Sequence, residues 1–168
     1  MNVELQLEEG DSANPRSPLP EAMEKALKEI LPAMIVEVRP ELDVKESVEV
    51  SLLFVDPAAM ADLNGRYRQI GEATDVLSFP QWEDEKGRFL PPDWPLLPLG
   101  DVVVCCDVVR REARARNVPF LSEVLLVIFH GVLHLLGLDH GTAEEEALMW
   151  EIQERYRDRA LALVERGA

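Results

Sequence analysis

All three histidines of the chain fall in one short window, His130-Gly-Val-Leu-His134-Leu-Leu-Gly137-Leu-Asp-His140. Residues four apart on an α-helix differ by roughly 40° in direction, so His130 and His134 project side by side from one helical face. Gly137 accepts the left-handed backbone common just past a helix end, and the released chain can return His140 as a third imidazole. Three neutral imidazoles are a typical zinc set and leave the fourth tetrahedral position to water. A water there has its pKa lowered towards roughly 7, which gives a hydroxide nucleophile, and the metal can also polarise a substrate. The chemistry expected is therefore hydrolysis at one zinc ion, although other divalent transition metals can occupy the same ligands in vitro. A lone histidine is more often a hydrogen-bonded core or surface residue, but here spacing, glycine and apolar surroundings agree. Asp139 is read as an acceptor that orients an imidazole. A closed structural site, completed by Asp139 or a cysteine, is the competing arrangement.

The spacing equals the H-E-x-x-H-x-x-G-x-x-H pattern of the metzincin peptidases. Gly131 stands where those enzymes carry the glutamate that serves as general base, so peptide hydrolysis by that route lacks its proton acceptor. Arg68 offers a planar fork of donors suited to phosphate oxygens and to charge that grows in a transition state. Without other information it would be read as a surface ion pair. Asp75, Asp101 and Asp139 are candidates for a general base, and zinc hydroxide can act without one. Arg110, Arg111, Arg114 and Arg116 form the densest local positive charge, either a track for a nucleic-acid backbone or a solvated helix face with Glu112.

Several elements must position these groups. Val3 to Leu7 alternates apolar and polar residues, the period of a half-buried strand. A loop rich in Ser, Pro and Asn runs from Asp11 to Pro20. Pro20 then opens a helix with Met23, Leu27, Ile30 and Met34 on one face, and Pro32 should kink or end it. Val48 to Val55 reads as a strand. Asp56-Pro57 starts a helix to about Gln69 with Met60, Leu63 and Tyr67 as its inward stripe, and Asn64 and Arg68 on another face. Thr74 to Phe79 and Leu99 to Cys105 read as strands, separated by an irregular stretch, 81–98, long enough for a lid or a partner surface. A helix from about Asp107 to Asn117 carries the arginines. Leu121 to Leu138 is apolar on nearly every side, which marks a helix enclosed by other elements. Thr142-Ala-Glu-Glu145 is a capping box for a last helix through Leu148, Ile152, Tyr156 and Leu163. The expected fold is α/β or α+β: a small mixed four-stranded sheet with about five helices packed around a central metal-bearing helix.

A chain of 168 residues, 47% hydrophobic and 29% charged, suits one globular domain spanning 1–168. Its net charge of −15, from 32 acids against 17 bases, argues against unspecific affinity for a polyanion. The amino terminus lacks a positive region and an apolar run, so no secretory signal is expected. The longest apolar stretch, Val124 to Leu138, is shorter than the roughly 20 residues that span a bilayer. The adjacent Cys105 and Cys106 are poorly placed for a disulfide and read as small buried residues at a strand end. A cytoplasmic location is the expectation.

With Gly131 in that place, the histidine segment resembles the signature of the YbeY family of metal-dependent endoribonucleases and ribosomal RNA maturation factors. Three more segments agree in order: Leu63-Asn64 with Tyr67-Arg68, Thr74-Asp-Val-Leu-Ser-Phe-Pro80, and Leu99-Gly-Asp101 leading a strand. Together they cover most of the chain from Asp56 onward. Ala73 and Leu138 depart from residues common in the family, proline and an aromatic. The resemblance implies zinc on His130, His134 and His140 and a functional arginine at Arg68. It implies single-strand-specific cleavage of RNA in ribosomal RNA maturation, at the 3′ end of the small-subunit RNA, and in ribosome quality control, with small-subunit proteins and assembly factors as partners. A ribosome-assembly factor with a mainly structural zinc, or a zinc hydrolase for another substrate, are the alternative readings.

Overall fold

The computed structural model of the chain describes residues 1–9 and 18–167. Most of the expected loop from Asp11 to Pro20 lies outside the described residues. Strand β1 (Asn2–Glu9) turns Val3, Leu5 and Leu7 inward and leaves Asn2, Glu4 and Gln6 exposed, as alternation requires. Helix α1 (Glu21–Val38) buries Met23, Leu27, Ile30 and Met34. It continues through Pro32 instead of ending there. The carbonyl deprived of its partner there belongs to the exposed Lys28, on the solvent side, where water can satisfy it.

A 3₁₀ turn (Pro40–Val44) leads to β2 (Ser47–Phe54). Helix α2 (Pro57–Arg68) begins as expected: Asp56 Oδ1 accepts the Ala59 N–H at 2.7 Å, and Pro57 fills a position that needs no donor. Its inward stripe is shorter than the pattern suggested. Met60 is buried, Leu63 half-buried, Tyr67 exposed, and Asn64 turns inward instead. The remaining elements are β3 (Val76–Pro80), β4 (Leu96–Val104), α3 (Cys106–Arg116), α4 (Phe120–Leu135) and α5 (Ala143–Arg166).

The sheet has the order β1-β2-β4-β3, with β1, β2 and β4 parallel and β3 antiparallel on the edge. Apolar residues such as Val50, Leu52, Val102 and Val104 face α1, α4 and α5 in the main core. The opposite face is covered only in part, by α2 and the start of α3, over a smaller cluster of Met60, Leu77, Val103, Cys105 and Val108. Among the described residues, a mixed α/β architecture with five α-helices and four strands thus agrees with the sequence pattern. Helix α4 is buried on nearly all sides, against β3, β4, α3 and α5. Its close seat on the sheet depends on Gly131: a Cβ there would lie 2.6 Å from Val102 Cγ1 and 3.2 Å from Ser78 Oγ.

Candidate metal centre and cleft

Helix α4 ends in a Schellman turn. The Gly137 N–H donates to His134 O at 3.0 Å and the Leu138 N–H to Leu133 O at 3.1 Å, with Gly137 at φ +87°. Arg39 completes the end by donating Nε–H to Leu136 O at 2.7 Å, its guanidinium 5.0 Å from the Phe89 ring centre. The turn reverses the chain and carries His140 back over the helix. The ring centres of His130 and His134 lie 4.6 Å apart, and His140 lies 5.7 and 5.2 Å from them.

One ring nitrogen from each histidine falls within 4.8 Å of the others. His130 Nε2 and His134 Nε2 are 3.1 Å apart. Two donors on one tetrahedral zinc, at ~2.0–2.1 Å each, would be separated by about 3.3 Å. The geometry and donor chemistry therefore suit one transition-metal ion. Gln153 Oε1 lies 2.9 Å from His130 Nδ1. An amide oxygen only accepts, so Nδ1 carries the proton and Nε2 presents its lone pair to the cluster. Burial lowers the pKa of His134 to about 4, helped by the neighbouring His130 and His140. Burial also lowers that of His130, against an opposing effect of Gln153. Both rings are neutral at pH 7, the form that metal ligation requires.

The histidines line a cleft of about 890 Å³ together with residues of β3 and the end of α2. Arg68, the last residue of α2, lines this cleft, is exposed, and has no hydrogen bond or ion pair among the described residues. The surface ion pair that its residue type alone suggests is not formed. Asn64, four residues earlier, braces the following turn by donating Nδ2–H to Glu72 O at 2.8 Å.

The three aspartates go to different places. Asp75 and Asp139 line the cleft, whereas Asp101 faces a separate recess on the far side of the sheet. Asp75 Oδ1 accepts the Val76 N–H at 2.8 Å. Asp139 Oδ1 accepts the backbone N–H of His140 at 2.8 Å, so it holds the turn and not an imidazole. The orienting role assigned to it belongs to Gln153.

The stretch 81–98 is more ordered than its composition suggests. Asp84 closes a turn through the N–H groups of Lys86 and Arg88 at 2.9 and 2.7 Å, and Glu83 bridges to Phe89. Trp82 packs edge-on to Trp94, with ring centres 5.1 Å apart. The turn brings Lys86 to the rim of the cleft. Of the four arginines on α3, none lines the cleft. Arg110 pairs with Asp107 at 3.4 Å and Arg116 with the buried Glu123 at 3.0 Å. Arg111 and Arg114 are without partners among the described residues.

Both cysteines are free, and burial raises their thiol pKa values, Cys106 to about 11, so neither is a reactive thiolate at neutral pH. Among the described residues no helix is long and apolar enough to cross a membrane.

Gln153, Ser78, Arg39 and Lys86 escaped the sequence reading. Gln153 left a signal: it is a polar residue among Met149, Ile152 and Tyr156, on the buried face of α5. Ser78 donates Oγ–H to Gly131 O at 3.1 Å, which ties β3 to the histidine helix.

The family model described as "Endoribonuclease YbeY" matches residues 14–160. A protein of Frankia casuarinae named Endoribonuclease YbeY is 44% identical over 114 residues, 67% of this chain and 57% of its own. One of Beutenbergia cavernae with the same name is 44% identical over 115 residues, 68% of this chain and 76% of its own. The likeness thus spans little more than half of the Frankia protein's length. The solution structure of TM1509 from Thermotoga maritima superposes with a TM-score of 0.59 at 27% identity, over 95% of this chain and 89% of that one.

Proposed function

The chain belongs to the YbeY endoribonuclease family, and from that premise we propose that it is a zinc-dependent endoribonuclease for single-stranded RNA. Its place is ribosomal RNA maturation, at the 3′ end of the small-subunit RNA, and ribosome quality control in the cytoplasm. One observation carries the reading: three imidazole nitrogens within 4.8 Å of one another, in a cleft that also holds the partnerless Arg68.

His130, His134 and His140 hold the ion, and a bound zinc supplies Lewis acidity to water and to phosphoryl oxygens near neutral pH. The protein's own groups do the rest. Gln153 fixes the tautomer and direction of His130, which keeps the donor aimed at the cluster. Arg68 binds the scissile phosphate and stabilises the charge that its oxygens gain in the transition state, as a guanidinium with no internal partner is free to do. Position 131 supplies no carboxylate, and the contact with Val102 leaves no room for one. The reaction expected is therefore on phosphodiesters and not on peptides. Small-subunit ribosomal proteins and assembly factors bring the RNA, since a chain of net charge −15 attracts it poorly unaided.

The test is cleavage of single-stranded RNA by the zinc-loaded protein beside folded His134→Ala and Arg68→Ala variants. Loss of cutting in both, with zinc lost from the first and retained by the second, is expected. Equal rates in all three would assign the cutting to a contaminant and sink the proposal.

A further inference from the structure

A second recess, about 320 Å³, opens on the sheet face that α2 leaves partly uncovered. Tyr67 and Phe79 line both this recess and the histidine cleft, so the two adjoin at the β3 edge. Tyr67 is 66% exposed, an unusual setting for an aromatic ring, and packs edge-on to Phe79 with ring centres 5.0 Å apart.

The floor of the recess is polar in one line. Strand register sets Gln6 beside Ser51, Ser51 beside Asp101, and Asp101 beside Phe79, a row that crosses the whole sheet. Ser51 Oγ is buried with no hydrogen-bond partner, although a buried polar atom normally has one. The Asp101 carboxylate is exposed and without a partner among the described residues. Leu53 and Leu63 supply apolar walls. An aromatic platform on a sheet surface, with unspent hydrogen-bonding groups one strand away, is what recognition of an unpaired base requires: stacking for the ring face and polar groups for its edge.

We infer that this recess is a nucleobase subsite, which holds an unpaired base with an exocyclic amine (cytosine, adenine or guanine) next to the phosphate in the cleft. The inference rests on the proposed RNA substrate and adds its sequence preference. The base stacks on Tyr67 and Phe79. Asp101 accepts from the exocyclic amine, and the Ser51 hydroxyl donates to a ring nitrogen or carbonyl. An ionised carboxylate is acceptor-only, so it disfavours uracil, which shows a carbonyl in the place of the amine. The negative Asp101 also keeps phosphate out of the recess and in the cleft beside Arg68.

Two measurements separate the subsite from the activity. Cytidine and uridine monophosphates are titrated into the protein while the backbone amide signals of Ser51, Leu53, Asp101 and Val103 are followed by NMR. Shifts with cytidine monophosphate, weaker by about tenfold in affinity for the uridine compound and lost in Asp101→Asn, are expected. No shift with the cytidine compound overturns the subsite, whether or not RNA is cut. Zinc-loaded enzyme is then given RNAs that differ in the one nucleotide beside the cut. Preference for the amine-bearing bases over uracil should flatten in Asp101→Asn and in Ser51→Ala. An unchanged profile in both variants overturns the inference. Failure of the parent to cut any RNA counts against the endoribonuclease reading alone, and the titration still decides the subsite.

Discussion

At the scale of single residues, the geometry of the histidine cluster depends on groups outside it. Gln153 is buried and accepts from His130 Nδ1–H, so replacing it by leucine of similar volume leaves that donor unpaired and the ring free to turn. Gln153→Leu should retain its helical circular dichroism and bind zinc about 10- to 100-fold more weakly in chelator competition. Undiminished affinity would show that α4 alone aims the imidazole. Gly131 is constrained by space, because Val102 is short, branched and fixed on a strand and cannot swing away from an added methyl at 2.6 Å. Gly131→Ala should destabilise the protein by about 1–3 kcal/mol, read from the urea midpoint. The same contact explains why Gly131→Glu should yield misfolded protein and no peptidase.

At the scale of elements, helix α4 is anchored where it stops. Arg39 holds Leu136 O, and Gly137 allows the reversal that delivers His140. Arg39→Ala removes a charge-assisted hydrogen bond and the stacking over Phe89, so a loss of roughly 1–3 kcal/mol is expected. Amide exchange should rise first at residues 137–140. A second clasp joins α1 to α5: Arg155 donates to both oxygens of Glu37 at 2.7 and 2.9 Å. The hydrogen bond from Arg155 holds the Glu37 carboxyl below the usual carboxylate range. Because the folded state lowers that pKa, the clasp contributes fully above the unfolded value and fades as pH falls through the folded one. With 41% and 40% of the two side chains exposed, its worth is at most about 1 kcal/mol. Elements were legible in the sequence because each has a local signature: alternation in β1, Asp56-Pro57 at the start of α2, Gly137 after α4. What pairs distant segments had none. Arg39 and Leu136, or His130 and Gln153, meet only because α1, α4 and α5 pack together. Pro32 misled for a related reason, since tertiary packing keeps α1 helical where local preference would end it.

At the scale of the whole molecule, charge bears on how the proposed RNA substrate would be held. The three histidines were legible as a group that could hold a metal because their spacing is local, and the place of Arg68 in their cleft rests on the packing of α2 against β3. The recess between Ser51, Asp101 and Tyr67 was not legible, for it exists only through strand register and one uncovered sheet face. Against a net charge of −15, the cleft presents two cations without internal partners, Arg68 and Lys86. Each phosphate neutralised on a single strand contributes roughly −0.7 to the slope of log K against log salt. Two such contacts predict a slope near about −1.4 for a short single-stranded RNA, shallow for a nucleic-acid enzyme. Arg68→Ala should bring it to about −0.7, whereas Arg111→Ala with Arg114→Ala, outside the cleft, should leave it unchanged. A slope several-fold steeper that collapses in the α3 double variant would instead place the RNA backbone along that helix. The shallow slope, if found, means that most of the affinity at physiological salt comes from contacts other than phosphate neutralisation.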